Sequence, residues 1–140
     1  MKIFNIKTES LKNPLGLNTP RPIITWNVDG ENIKYQKAFA ITYRVNHGDQ
    51  KRIVQETSST YYEFPEAFKS RDAVIFQISI QNELGQWSSP SEEQHFTIGL
   101  LNKSDWTAKW IYGDYRVTKK HRYPVDYFQK EFTIHDLTKA

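Results

Sequence analysis

Along three stretches of this chain every second residue is apolar, and a period of two puts alternate side chains on opposite faces of a strand. Ile24, Trp26 and Val28 share one face, and Phe39, Ile41, Tyr43 and Val45 repeat the pattern. Val74, Phe76, Ile78 and Ile80 give the cleanest run, with Ile75, Gln77, Ser79 and Gln81 turned the other way. Turn-forming clusters separate these runs: Asn13-Pro14-Leu15-Gly16, Asp29-Gly30, Asn46-His47-Gly48-Asp49, Phe64-Pro65-Glu66 and Asn82-Glu83-Leu84-Gly85. Short strands broken so often specify a β-sandwich or barrel and exclude a parallel α/β sheet. About seven strands are predicted, near 3–8, 22–28, 37–46, 50–56, 60–64, 73–82 and 92–98.

Pro20 and Pro22 flank Arg21 just ahead of the second strand. A residue without an amide hydrogen enters a sheet only at its start or edge, so the prolines set where pairing begins. Trp26, in the middle of that strand, is expected to be the largest single contributor to the core. After Ile98-Gly99 the alternation fades. Leu100 to Trp106 reads as a linker turning into a short helix or capped turn, with Ser104 or Asp105 as the cap. Tyr127 to Ile134 reads as one more strand, with Phe128, Lys130, Phe132 and Ile134 in phase.

A chain of 140 residues can hold one domain and part of another. Cysteine is absent, which excludes a disulfide framework and thiolate metal sites. No apolar run approaches a bilayer span and the N-terminus lacks a secretory signal, so the expectation is a soluble, cytoplasmic chain without a membrane partner. The net charge of +3 owes much to Lys119-Lys120-His121-Arg122, which reads as a solvated loop. A nucleic-acid footprint is usually a wider basic face, so no nucleic-acid partner is expected. The sequon Asn102-Lys103-Ser104 matters only in a glycosylating secretory pathway.

The stretch Asn13-Pro14-Leu15-Gly16-Leu17-Asn18-Thr19-Pro20-Arg21-Pro22-Ile23-Ile24-Thr25-Trp26 resembles the N-terminal segment of bacterial α-L-rhamnosidases. Three further stretches resemble the same family in the same order. They are Gln36-Lys37-Ala38-Phe39-Ala40-Ile41, Phe68-Lys69-Ser70-Arg71, and Gly99-Leu100-Leu101 with Ser104-Asp105-Trp106-Thr107-Ala108-Lys109-Trp110-Ile111. The resemblance implies an all-β, fibronectin type III-like (immunoglobulin-like) sandwich over residues 1–99. Residues 100–140 would then be a linker and the truncated start of a following β-sandwich domain. The implied partners are that domain and an (α/α)6 catalytic barrel further along the same parent chain. One departure stands out: Val74 occupies the start of the sixth strand, where the fibronectin type III pattern often has a tyrosine whose hydroxyl ties the corner.

In the resembled family, inverting hydrolysis of terminal α-L-rhamnosides is the work of barrel carboxylates. Glu63, Glu66, Asp72, Glu92 and Glu93 read as ordinary strand-edge and loop residues, so no catalytic residue is assigned here. His47, His95, His121 and His135 lack the spacing of a metal site, and no glycine loop cradles a phosphate. Neither metal nor cofactor is expected. Trp87, Trp106, Trp110, Phe128 and Phe132 are the candidate contact residues, either for a neighbouring domain or for carbohydrate. The leading expectation is a non-catalytic structural module of a glycoside hydrolase, whose uncovered aromatics would also promote self-association of the fragment. The alternative is an ancillary carbohydrate-binding module using Trp87, Trp106 or the pair Tyr61 and Tyr62; a free-standing adhesion domain ranks last.

Overall fold

The computed structural model describes residues 1–30, 33–111, 113 and 127–133. Seven strands follow in order: β1 (Lys2–Thr8), β2 (Ile23–Asp29), β3 (Gln36–Val45), β4 (Lys51–Gln55), β5 (Tyr61–Glu63), β6 (Ala73–Asn82) and β7 (Gln94–Thr97). They pair antiparallel into a three-stranded sheet, β1-β2-β5, and a four-stranded sheet, β4-β3-β6-β7. The three apolar alternations become β2, β3 and β6, and their in-phase residues fill the space between the sheets: Ile24, Trp26, Phe39, Ile41, Val74, Phe76, Ile78 and Ile80 are all buried. Aromatic rings knit the layer edge to face, as their quadrupoles favour. Trp26 meets Phe39 at 5.0 Å between centroids, Tyr62 meets Phe64 at 5.2 Å, and Phe68 meets Phe96 at 5.5 Å.

Burying an indole leaves its N–H in need of an acceptor. Trp26 Nε1 donates to Gln36 Oε1 at 3.0 Å, and Gln36 Nε2 donates in turn to the carbonyl of Ser59 at 2.7 Å. Gln36 opens β3, so this relay joins the two sheets and the β4–β5 connection from inside.

The first connection does more than link β1 to β2. Asn13 Oδ1 accepts the His95 N–H, Pro14 O accepts the Thr97 N–H, and the Leu17 N–H donates to Thr97 O. Gly99 then donates to Leu17 O, so residues 13–17 lie along the outer side of β7 and its continuation. The approach is close enough that a Cβ on Gly99 would meet Gly16 O at 3.0 Å. Gly16 itself has φ +69°, in the left-handed region that glycine enters without steric cost.

Beyond β7 the free half of β6 is completed by the segment after Trp87. Ser88 and Ser91 place their side-chain oxygens to accept the Ile80 and Ile78 N–H groups at 3.1 and 3.0 Å. At the other end of β6, where Val74 replaces a corner tyrosine, a polar clasp ties the turn. Asn46 Nδ2 donates to Asp72 at 2.6 Å, Asn46 Oδ1 accepts the Ala73 N–H at 2.8 Å, and the Asn46 N–H donates to Ala73 O.

Two expectations change. The exit segment forms a 3₁₀ turn at Lys103–Asp105, capped by Asn102 instead of Ser104 or Asp105. Asp105 is the third residue of that turn and its carboxylate reaches back to the Asn102 N–H at 3.0 Å, the reciprocal geometry of a capping box. The strand expected over 127–134 is absent from the described residues 127–133, because a strand persists only through a hydrogen-bonded neighbour and no described strand pairs with this one. Ile134, His121, His135 and the Lys119-Lys120-His121-Arg122 run lie outside the described residues. The chain divides into a first unit, Met1–Trp106, and a second, Thr107–Ala140.

Replacing Trp26 with Ala removes the largest buried side chain and is expected to cost about 3–5 kcal/mol of stability. Gln36→Leu, which strands the indole N–H, is expected to cost about 1–3 kcal/mol, and urea unfolding of both variants checks the two values. A Gln36→Leu cost near zero would mean that water or another acceptor reaches the indole.

Candidate functional site

The exit of the chain from the sandwich is built by the β5–β6 connection. Ser70 donates its hydroxyl to the Asp105 carboxylate and accepts the Leu101 N–H at 2.9 Å. Its neighbour Arg71, held at φ 70°, donates its main-chain N–H to the carbonyls of Ile98 and Gly99 and its guanidinium to the Asp105 carbonyl at 3.0 Å. Two sequence stretches far apart, Phe68–Arg71 and Ser104–Trp106, are therefore one structure in space. Leu101 packs against the core. The Asp105 carboxyl lies below the ordinary aspartate range, first because Ser70 hydrogen-bonds it, then through the Asn102 N–H and side-chain amide and the Arg71 charge, against a smaller desolvation effect.

A second feature opens where β4 and β5 end their sheets on the same side of the sandwich. The cleft there has a volume of about 640 Å³. Tyr43 from β3 and Tyr62 from β5 form its floor with Phe64, and Lys51, Gln55 and Glu66 stand around it. Lys51 Nζ lies 3.8 Å from the Glu66 carboxylate and 6.0 Å from the Tyr43 ring. Burial pushes the Tyr62 phenol above its usual range, with smaller contributions from Tyr43 and the Glu66 charge, which places all three groups in mutual electrostatic reach.

The candidate contact residues fall in both units of the chain. Trp87 stands against the outer face of the four-stranded sheet, its ring 5.8 Å from the Arg52 guanidinium. Because β3 lies between β4, which carries Arg52, and β6, whose Gln81 bridges to Trp87, the contact passes over β3, whose outward-facing Ala38 and Ala40 are 1% and 2% exposed. Trp106 follows the 3₁₀ turn at the end of the first unit, whereas Trp110, Phe128 and Phe132 belong to the second. All four of these are largely exposed, Trp110 at 88%. Of the pair proposed as a sugar platform, Tyr61 is exposed but Tyr62 is buried at 5%, because period two turns one inward as it turns the other out.

Two of the candidate carboxylates, Asp72 and Glu66, have partners, while Glu92 and Glu93 act through their main-chain carbonyls. Asp72 holds Asn46 and the Lys69 N–H, Glu66 pairs with Lys51, and Glu92 and Glu93 offer main-chain carbonyls to Gln94. Among the described residues no cluster of three or more His, Asp or Glu side chains is placed to hold a metal.

The family model for the Rha78A-like, N-terminal immunoglobulin domain matches residues 3–102. The chain belongs to this family. An α-L-rhamnosidase of Formosa agariphila is 33% identical over 115 residues, a match that covers 74% of this chain and 12% of the relative. The immunoglobulin domain thus spans about an eighth of that relative's length. Among solved structures, the α-L-rhamnosidase of Dictyoglumus thermophilum superposes with a TM-score of 0.71 at 23% identity, covering 80% of this chain and 14% of that one. The enzyme of Aspergillus terreus gives 0.69 at 22%, covering 76% and 13%. At these identities the likeness concerns the fold, a sandwich that forms a small part of each larger protein.

Sequence reasoning picked out both halves of the exit clasp as family-like stretches without showing that they touch. Their contact is between single polar side chains thirty-odd positions apart and has no periodic signature. Since the folded Asp105 carboxyl is depressed, its contribution to stability is present above the ordinary aspartate pKa and is lost as pH falls through the lowered value. Unfolding midpoints in urea should therefore fall as the pH drops through and below the ordinary aspartate pKa of about 3.9. Asp105→Asn should flatten part of that slope, the remainder including Glu83, whose carboxyl is depressed by main-chain N–H groups of its own residue, Lys34 and Tyr35. Identical slopes in the two proteins would show that the clasp is not linked to protonation.

Proposed function

We propose that this immunoglobulin domain is a non-catalytic structural module at the N-terminus of an α-L-rhamnosidase-like glycoside hydrolase, which sets the direction in which the following domain leaves it. The observation that carries this reading is the Ser70–Arg71–Asp105 clasp, which fixes the exit segment to the sandwich immediately before the unit boundary at Trp106. A linker that only tethers two bodies has no need of such a clasp. In this reading residues 1–99 are the sandwich and residues 100–140 the linker and the start of a second β-sandwich. Hydrolysis of terminal α-L-rhamnosides, with inversion, falls to a downstream (α/α)6 barrel. Trp106, Trp110, Phe128 and Phe132 are the interdomain anchors, and Trp87 serves as a packing cover for the outer sheet face.

The family membership supports this reading, as does the small share of the rhamnosidase relatives that the domain matches. Three experiments test it. The 140-residue chain is expected to release no nitrophenol from 4-nitrophenyl α-L-rhamnopyranoside. Sedimentation velocity is expected to show concentration-dependent self-association of the full chain and a monomer for residues 1–106. In a longer polypeptide carrying the downstream domains, Ser70→Ala with Asp105→Ala should lower the melting temperature and the activity together. Full activity and stability in that double variant would remove the case for a positioning role.

A further inference from the structure

The cleft between β4 and β5 is not explained by a scaffold. In a sandwich that is only structural, the side channel where two sheets diverge closes over apolar side chains. Here the inward positions of β4 are Lys51, Ile53 and Gln55, since these are the residues paired with the inward Tyr43, Ile41 and Phe39 of β3. Two polar groups thus stand where the alternation calls for apolar ones, and the β5–β6 connection adds Glu66 opposite. Tyr43 and Tyr62 are 7% and 5% exposed and belong to the core cluster, and both also line the cleft. No buried side-chain nitrogen or oxygen among the described residues lacks a partner, which is consistent with these polar ends meeting solvent in the cleft.

The chemistry of the walls narrows the ligand. Phenol hydroxyls and an amide both donate and accept, a carboxylate accepts, and an ammonium donates. Lys51 and Glu66 offset one another, the Asp72 carboxylate is occupied by Asn46 and the Lys69 N–H, and the Arg52 guanidinium is drawn to Trp87 on the other sheet face. Among the described residues neither Arg52 nor Lys69, both in the lining, forms an ion pair with a carboxylate. A ligand with many hydroxyls, no net charge and an apolar ring edge fits this set, and the volume falls in the range of small-molecule sites. The channel on the opposite side of the sandwich is of similar size, about 600 Å³. It is lined by the β1 segment and by Lys2, Lys7 and Lys12, with no aromatic floor carrying hydroxyls.

We propose that the β4–β5 cleft is a binding site for a neutral pyranose, which exchanges hydrogen bonds with Tyr43, Tyr62 and Gln55, donates one to the Glu66 carboxylate, and has Phe68 and Ile53 against its apolar edge. This goes beyond the structural role and is independent of it, for a scaffold can carry such a site or lack it without change to its exit clasp.

Amide NMR titration of the 140-residue chain tests the proposal with three probes: methyl α-L-rhamnopyranoside, methyl β-D-glucopyranoside and D-galacturonate. At least one of the two neutral glycosides is expected to produce saturable shifts at millimolar concentration, confined to residues 43–45, 51–55 and 62–69. Tyr62→Phe keeps the ring and removes the hydroxyl, and should weaken binding roughly fivefold, the loss typical of one hydrogen bond, with the thermal midpoint unchanged. Glu66→Gln, on an exposed loop position, supplies the same test if Tyr62→Phe proves unstable. No saturable shift with either neutral glycoside up to about 50 mM would overturn the site, as would shifts centred on Trp87, tighter binding of galacturonate, or unchanged affinity in both variants.

Discussion

An indole can lie between two sheets only if its N–H is satisfied there, and in this domain Gln36 meets that requirement from the first residue of β3. The arrangement fixes more than one side chain. Gln36 is itself buried and must spend its own amide hydrogens, which it does on the carbonyls of Ser59 and Thr57. Those bonds determine where the β4–β5 connection crosses from one sheet to the other, and so where β5 meets β2. The register of β5, with Tyr62 opposite Ile24, follows, and with it the inward turn of Tyr62 that closes the aromatic layer. A buried polar relay of this kind selects one arrangement among the many that a purely apolar layer would tolerate.

The second requirement is the management of edges, because an open sandwich has four and each presents unpaired main-chain groups. The solutions differ. Along β7 the edge is covered by residues 13–17, and along the rest of β6 by the serine oxygens of Ser88 and Ser91. Strand β1 is interrupted at Asn5, whose φ of 51° accompanies a register shift between Phe4 and Lys7. Strand β5 is only three residues long. Strand β4 carries Lys51 and Arg52, charges that oppose pairing with another chain.

How much of this could be read from the sequence depended on whether a feature is periodic. The sandwich was legible because Val74, Phe76, Ile78 and Ile80, and their counterparts on β2 and β3, announce a buried face by alternation alone. The turn chemistry around Asn46 was visible as a turn, but its bond to Asp72 was not, since nothing in either residue's neighbourhood marks the other. Trp87 illustrates the same limit: nothing in its neighbourhood marks Arg52 of β4 as the residue that lies over its ring. The phase of Phe128, Lys130 and Phe132 was real as a pattern, yet a pattern becomes a strand only when a neighbour supplies the hydrogen bonds. Trp106 directly follows the 3₁₀ turn of the exit segment, while the cleft residues Tyr43, Gln55 and Lys51 were hidden within a strand pattern that reads as ordinary core and edge.

The contact of residues 14–17 with residues 97–99 has a mechanical side. Leu17 and Ile98 run parallel there, bonded through Thr97, Leu17 and Gly99, and the chain passes from this patch directly into the exit segment. A pull along the strand direction at this patch would load these hydrogen bonds in shear, so that they resist together. An antiparallel hairpin pulled from its open end would instead unzip one bond at a time. The same close approach that leaves no room for a side chain at position 99 therefore sets these bonds side by side, where they share a load.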